Sequence, residues 1–284
     1  MSHLLKAVFL GLLTGVLGLS LVPFALDLED NLGLGFLFKL RGPRKVPPEV
    51  IIITIDKASA DNLNLPAEPA KWPRSLHATL TENLSKAGAA VIVFDILFDE
   101  ARSPEQDSSF AEAIRNARNV VLCECLKKKT ILITNKEGTH TGQVNIEKLV
   151  PPIPTLAQSA AALAPFPHPK VPIKVSQNWT IKTGAGDTPT LPVVVFQVYA
   201  LGVYEELISL LKKAKPDLVG RMPQDKRQIA GARSIEKVIR TLRQMFKSNP
   251  GMADDMLTEL EQWNNSLLDS KQSRLLRSLI KMYG

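Results

Sequence analysis

Residues 7–26, AVFLGLLTGVLGLSLVPFAL, form an uncharged apolar run that starts almost at the first residue, and the chain beyond it reads as water-soluble. Crossing the hydrocarbon core of a bilayer takes about 20 helical residues, so the run predicts a transmembrane helix that anchors the chain in lipid. Lys6 precedes it while Asp27, Glu29 and Asp30 follow, which favours a cytoplasmic N-terminus; Lys39, Arg41, Arg44 and Lys45 lie beyond the far end and oppose that orientation by the same rule. A cleaved signal peptide begins in the same way, and Gly18 and Ser20 are small enough for cleavage after Ser20. The apolar stretch nevertheless continues to Leu26, longer than a typical signal core. A buried core helix is the third reading. The expectation is a single-pass anchor over residues 1–29 with the main domain outside the cytoplasmic membrane.

The rest of the chain is long enough for one large domain or two small ones. A hydrophobic content of 45% and a charged content of 22% are those of a folded globular protein, which excludes bulk disorder. The net charge of +7 is concentrated. Lys212, Lys213, Lys215, Arg221, Lys226, Arg227, Arg233, Lys237, Arg240, Arg243 and Lys247 face only Asp217, Asp225 and Glu236. Such a segment is a solvated helix face, or it meets anionic lipid or a partner. Nucleic acid is not expected: aromatic residues are 6% and do not interleave with the basic ones as a stacking platform requires. The two cysteines, Cys123 and Cys125, share one face of a strand-like run with parallel side chains, a poor geometry for bridging each other. They read as buried hydrophobes. His77, His140 and His168 are scattered singly, so no metal or other cofactor is called for.

Periodicity sets out the organisation. VIIITID, Val50–Asp56, is a continuous β-branched run that predicts a strand covered on both faces. Leu76, Leu80, Leu84 and Ala87 recur at helical spacing, with Pro73 at the start and Gly88 at the stop. VIVFDILFDE from Val91 then returns as a strand, making a βαβ unit with parallel strands. Helix Asp107–Ala117 and strand Asn119–Leu126 repeat the pattern, and TNKEGTHTGQVN is a hairpin or loop. An Ala-rich helix is expected over Leu156–Leu163, and an antiparallel hairpin or edge element between Pro165 and Pro192. Leu191–Leu211 reads as a helix; it is apolar enough for a second span, but Gln197, Glu205 and Glu206 favour burial against protein. From Ser234 the chain is helical, with Ile235, Val238, Ile239, Leu242 and Phe246 on one face, then Met256, Leu260, Trp263, Leu267 and Leu268. The fold class expected is α/β: an N-terminal transmembrane helix, a mostly parallel sheet with βαβ units, and a helical C-terminal region. Its domains are an anchor over 1–29, an α/β sensor-like domain over 30–230 and a helical tail over 231–284.

Asp56 and Asp95 each end a predicted parallel strand, where ligands gather in open α/β sheets, and Asp99 lies one loop further on. Paired carboxylates bind a cation, share a proton, or cap helices and pair with basic residues. Arg74, next to Trp72 and Pro73, is the ion-pair candidate. If Asp95 is buried and paired, Asp95→Ala costs more stability than Asp107→Ala. Ser59, Ser75 and His77 can be combined with Asp56 into a hydrolytic set, but nothing in the spacing compels it. No glycine-rich nucleotide loop, nucleophile elbow or zinc-protease motif is present.

RGPRKVPPEVIIITIDKAS followed by KWPRSLHATLTENLSKAGAAVIVFDILFDE resembles the CHASE sensory domain of the second class, through Arg41-Gly42-Pro43, Asp56 before Ala58-Ser59, Trp72-Pro73-Arg74, Gly88-Ala89, Phe94-Asp95 and Phe98-Asp99. The resemblance is specific over residues 30–125 and fainter beyond. It implies an extracytoplasmic sensor on an N-terminal membrane helix, feeding a cyclase or histidine kinase. The family's later half and any output domain are not legible, and VPIKV is at best a remnant of its Arg-Val-Pro stretch. The reading is a membrane-anchored signal-input module, not an enzyme. It answers an unidentified small-molecule or physical stimulus and signals as a homodimer or through a separate cyclase or kinase. Asp56, Trp72, Arg74, Asp95 and Asp99 are its ligand-binding or ion-pair candidates. A scaffold without a small-molecule ligand, and an enzyme of unassigned chemistry, are the alternatives.

Overall fold

A computed structural model describes residues 3–28, 33–134, 140–168, 178–263 and 268–284. The chain divides into two compact units, Met1–Thr54 with His168–Asn178, and Ile55–Pro167 with Trp179–Gly284. Glu29, Asp30, Leu267 and the VPIKV segment, together with the side chains of Lys6 and Asp27, lie outside what is described.

The first unit contains helices α1, His3–Leu28, and α2, Leu34–Arg41. The expected N-terminal transmembrane helix is corrected here. Within α1 the described apolar stretch is Val8–Leu21, short of the about 20 residues a crossing needs. The one described helical stretch with the length and hydropathy of a span is instead Leu191–Ala214, two α-helices joined by a 3-10 turn at Leu201–Val203, and 56% of its most apolar window is buried inside the protein. The VIIITID strand is corrected as well: residues 51–56 form no strand, and Ile51 and Ile52 are each 83% exposed. A β-branched run favours extended backbone, but it becomes a strand only where a neighbour completes its hydrogen bonds.

The second unit is built on a mostly parallel sheet. Strand β1, Ile92–Leu97, pairs in parallel with β2, Val120–Thr134, from Ile92 opposite Val120 to Leu97 opposite Cys123. Helix α5, Pro104–Ala117, makes the crossover between them. It starts where Ser103 accepts the Gln106 N–H, with Pro104 in its first turn and Glu105 and Asp107 on the positive end of its dipole. It stops where Arg118 turns left-handed at φ 63°. On the other side of β2 lies β4, Ala162–Pro165, also parallel. The far part of β2 pairs antiparallel with β3, His140–Val150, a hairpin that carries β2 well past the expected end at Leu126.

The Ala-rich segment is half helix. Helix α6, Pro154–Ser159, ends before Ala162–Pro165, all buried, joins the sheet. Small side chains suit a strand packed on both faces, and the ladder to β2 outweighs the helical propensity of alanine. Ile181–Lys182 and Thr188–Pro189, β5 and β6, form the expected antiparallel edge element.

Two apolar layers cover the parallel sheet. One joins Ile92, Phe94 and Leu122 to Ala78 of α4, Arg74–Lys86, to Phe110 and Ile114 of α5 and to Leu156 of α6. The other joins Val121, Ala162 and Ala164 to Leu191 and Val194 of α7, Leu191–Ala200, and to Ile235 and Ile239 of α9, Ser234–Ser248. Beyond them, α8, Tyr204–Ala214, packs with α9, α10, Met252–Trp263, and α11, Ser270–Tyr283, around Leu207, Leu242, Met256 and Leu276. Gln197, in the middle of the apolar α7, is buried and accepts a 2.7 Å hydrogen bond from the Tyr283 hydroxyl. In the basic segment Arg240 pairs with Glu236 at 2.8 Å and Arg243 with Asp187 at 3.1 Å, the solvated and locally paired face expected of an amphipathic helix.

Candidate functional site

The sheet positions its side chains by alternation: Phe94 points into the α4–α5 layer and is buried, whereas Asp95 points to the other face and is exposed. Asp95 lies close to Cys123 on β2. Burial first, and then the Asp95 charge, push the Cys123 thiol up to about 12, so the thiol stays protonated. Asp99, two residues past the end of β1, meets Lys127 of the β2–β3 hairpin at 3.7 Å. Asp95, two residues before the last residue of β1, and Asp99, two residues after it, therefore flank the C-terminal end of a parallel strand, the place a ligand crevice forms in such sheets.

The other three candidates sit elsewhere. Asp56 ends no strand; it caps helix α3, Lys57–Leu63, accepting the Ser59 N–H at 2.9 Å and the Ser59 hydroxyl at 2.8 Å. Trp72 is buried, its indole N–H donating to the Pro66 carbonyl at 2.8 Å. Arg74 is 4% exposed and pairs with Asp107. Its Nε donates to Asp107 Oδ1 at 3.4 Å, one terminal nitrogen donates to the Glu100 carbonyl at 3.0 Å, and its guanidinium lies 4.4 Å from the centre of the Phe98 ring. Burial lowers its pKa and the Asp107 carboxylate works against that, with Asp99 adding a smaller pull. Asp107, 6% exposed, also accepts the Arg102 N–H at 2.8 Å. The buried, paired carboxylate is thus Asp107, and the condition on which Asp95→Ala was expected to cost more than Asp107→Ala is not met.

Under this pair lies an aromatic cluster. The His77 ring stacks on Phe94 at 5.9 Å and meets Phe98 and Phe110 edge-on at 5.2 Å and 5.7 Å. Burial, and secondarily the Arg74 charge, lower its pKa to about 4, so it is neutral at ordinary pH. With Ser59 hydrogen-bonded to Asp56, Ser75 exposed and His77 enclosed by phenyl rings, the hydrolytic set is not assembled. Among the described residues no group of acidic, His and Cys side chains is arranged to hold a metal ion.

Sequence reasoning missed one further pair. Glu124, on β2 between the two cysteines, has a fully buried side chain and is held bidentately by Arg233 just before α9, with one bond at 2.9 Å. Arg233 also reaches Glu236 at 3.3 Å. A lone carboxylate inside an apolar strand was the signal, because a buried charge needs a partner. The partner lies 109 residues away, beyond the reach of any local pattern.

Comparison with known proteins gives one family. The sequence profile of the CHASE2 domain matches residues 7–169, more than half of the chain. No curated protein matches, and no solved structure does.

Proposed function

The chain belongs to the CHASE2 domain family, and on that premise we propose that it reads its stimulus at the β1 end, where Asp95 and Asp99 stand at the C-terminal edge of the parallel sheet. CHASE2 domains are extracytoplasmic sensors without catalytic chemistry. The protein is accordingly a signal-input module associated with the lipid bilayer, with its main domain outside the cytoplasmic membrane.

The observation that carries the site reading is the contrast among the five candidates. Trp72 and Arg74 are buried and committed to partners inside the domain, and Asp56 caps a helix, whereas Asp95 is an exposed carboxylate at a strand end. Trp72, Arg74 and Asp56 support the local frame; Asp95 and Asp99 contact the ligand. The Glu124–Arg233 pair ties the same end of β2 to α9, a route by which an altered strand end repacks the C-terminal helices. In this reading residues 30–230 form the sensor and residues 231–284 the helical element that passes the change to a second copy or to a separate cyclase or kinase. The stimulus shifts that output only if it binds one packing arrangement better than the other.

Thermal unfolding of the full chain in nanodiscs, with fractionated extracytoplasmic small molecules added, tests the site. An active fraction raises the midpoint of the wild-type protein and loses most of that effect with Asp95→Asn or Asp99→Asn. A shift that survives both substitutions moves the site away from the strand end.

A further inference from the structure

From Cys125 outward the ladder of β2 runs to β3, so the hairpin extends as a two-stranded arm beyond the parallel sheet. Directly opposed residues of an antiparallel pair share a face, and the faces alternate along each strand. The register places Lys127 opposite Lys148, Lys129 opposite Ile146, and Ile131 opposite Val144, with Ile133 next on the same face. The other face carries Lys128 with Glu147, Thr130 with Asn145, and Leu132 with Gln143.

The two faces differ in chemistry. On the second, Thr130 donates to Asn145 at 2.7 Å and Glu147 meets Lys182 of β5 at 3.5 Å, and Leu132, 55% exposed, is the one apolar side chain among its three pairs. On the first, Ile131, Ile133, Val144 and Ile146 are 42%, 46%, 44% and 39% exposed, four β-branched side chains in one patch. Three lysines border the patch on the side nearer the sheet. Lys127 and Lys148 stand directly opposite each other, a like-charge pair that costs hairpin stability, and Asp99 offsets only Lys127.

We propose that this face of the hairpin arm docks on an anionic phospholipid surface, with the four β-branched side chains entering the headgroup–acyl boundary and Lys127, Lys129 and Lys148 meeting the phosphates. An apolar patch with a cationic border is the arrangement by which a protein lies in a membrane interface. The chain is a bilayer-associated protein, so such a surface is adjacent. The docking goes beyond the strand-end reading and does not depend on it.

The test uses the full chain with Cys123→Ala and Cys125→Ala, reconstituted into liposomes containing phosphatidylglycerol and brominated phosphatidylcholine. A fluorescent label is placed on one introduced cysteine at a time. Labels at Val144→Cys and Ile131→Cys should be quenched by the brominated chains several-fold more than a label at Gln143→Cys, which sits on the opposite face of the same arm and reports that the arm is folded. Lys129→Gln and Lys148→Gln should each lower the equilibrium for contact by about fivefold, and neutral liposomes, which remove the attraction of all three lysines at once, by about a hundredfold. Equal quenching on both faces, or none on either, overturns the proposal. Self-quenching between labels at position 144 that persists in detergent also overturns it, and assigns the patch to a second copy of the chain.

Discussion

Asp107 and Asp95 show how the same side chain takes opposite roles from its surroundings. Asp107 is buried against an equally buried Arg74, so Asp107→Ala strands a guanidinium in the interior and should cost about 3–5 kcal/mol in a denaturant titration. Asp95→Ala, at an exposed position, should stay within about 0.5 kcal/mol of wild type. Equal losses would remove the distinction drawn between frame and site. His77 supplies the pH dependence. Its folded pKa of about 4 lies below the about 6.5 of the unfolded chain, so the unfolded state binds a proton first as pH falls. The contribution is full above pH of about 6.5 and is lost between there and about 4, on the order of 3 kcal/mol in all. His77→Phe should flatten the part of the stability–pH curve that falls in this window, measured as urea midpoints at several pH values. The sequence showed His77 as a single unclustered histidine, because the three phenylalanines around it come from β1, the segment after it and α5, and meet only in the fold.

Elements in this protein are held to one another by a few long-range polar contacts across apolar layers. Glu124 of β2 and Arg233 before α9 make the clearest joint: the carboxylate is wholly buried and the guanidinium 46% exposed. Arg233→Met leaves Glu124 without its partner and should lower stability by about 2–4 kcal/mol, below the full buried-pair figure because the arginine is partly solvated. The double variant Glu124→Leu with Arg233→Met should recover most of that loss; no recovery in an equilibrium unfolding cycle would show that the ion pair is not what joins β2 to α9. Helix periodicity was legible at this scale. The α9 face of Ile235, Val238, Ile239, Leu242 and Phe246 is buried as its spacing requires. Strand assignment was less so: VIIITID has the composition of a strand and forms none, while alanine-rich Ala162–Pro165 forms one. A helix closes its hydrogen bonds within itself, but a strand needs a neighbour that local composition does not name.

At the scale of the whole molecule, CHASE2 membership places the main domain outside the cytoplasmic membrane. Protease added to cells whose inner membrane is intact should therefore digest the domain while a cytoplasmic control survives; protection until lysis would reverse the orientation. The sequence by itself determined the family, the parallel β1–α5–β2 core and the amphipathic C-terminal helices, since motif spacing and hydrophobic period are properties of neighbouring residues. The tertiary structure decided which acid is buried, which apolar run is covered and which stays exposed. The Leu191–Ala214 stretch is more than half buried against protein, while Ile51 and Ile52 remain outside. Burial and charge pairing are set by partners far away in sequence, and only the fold brings those partners together.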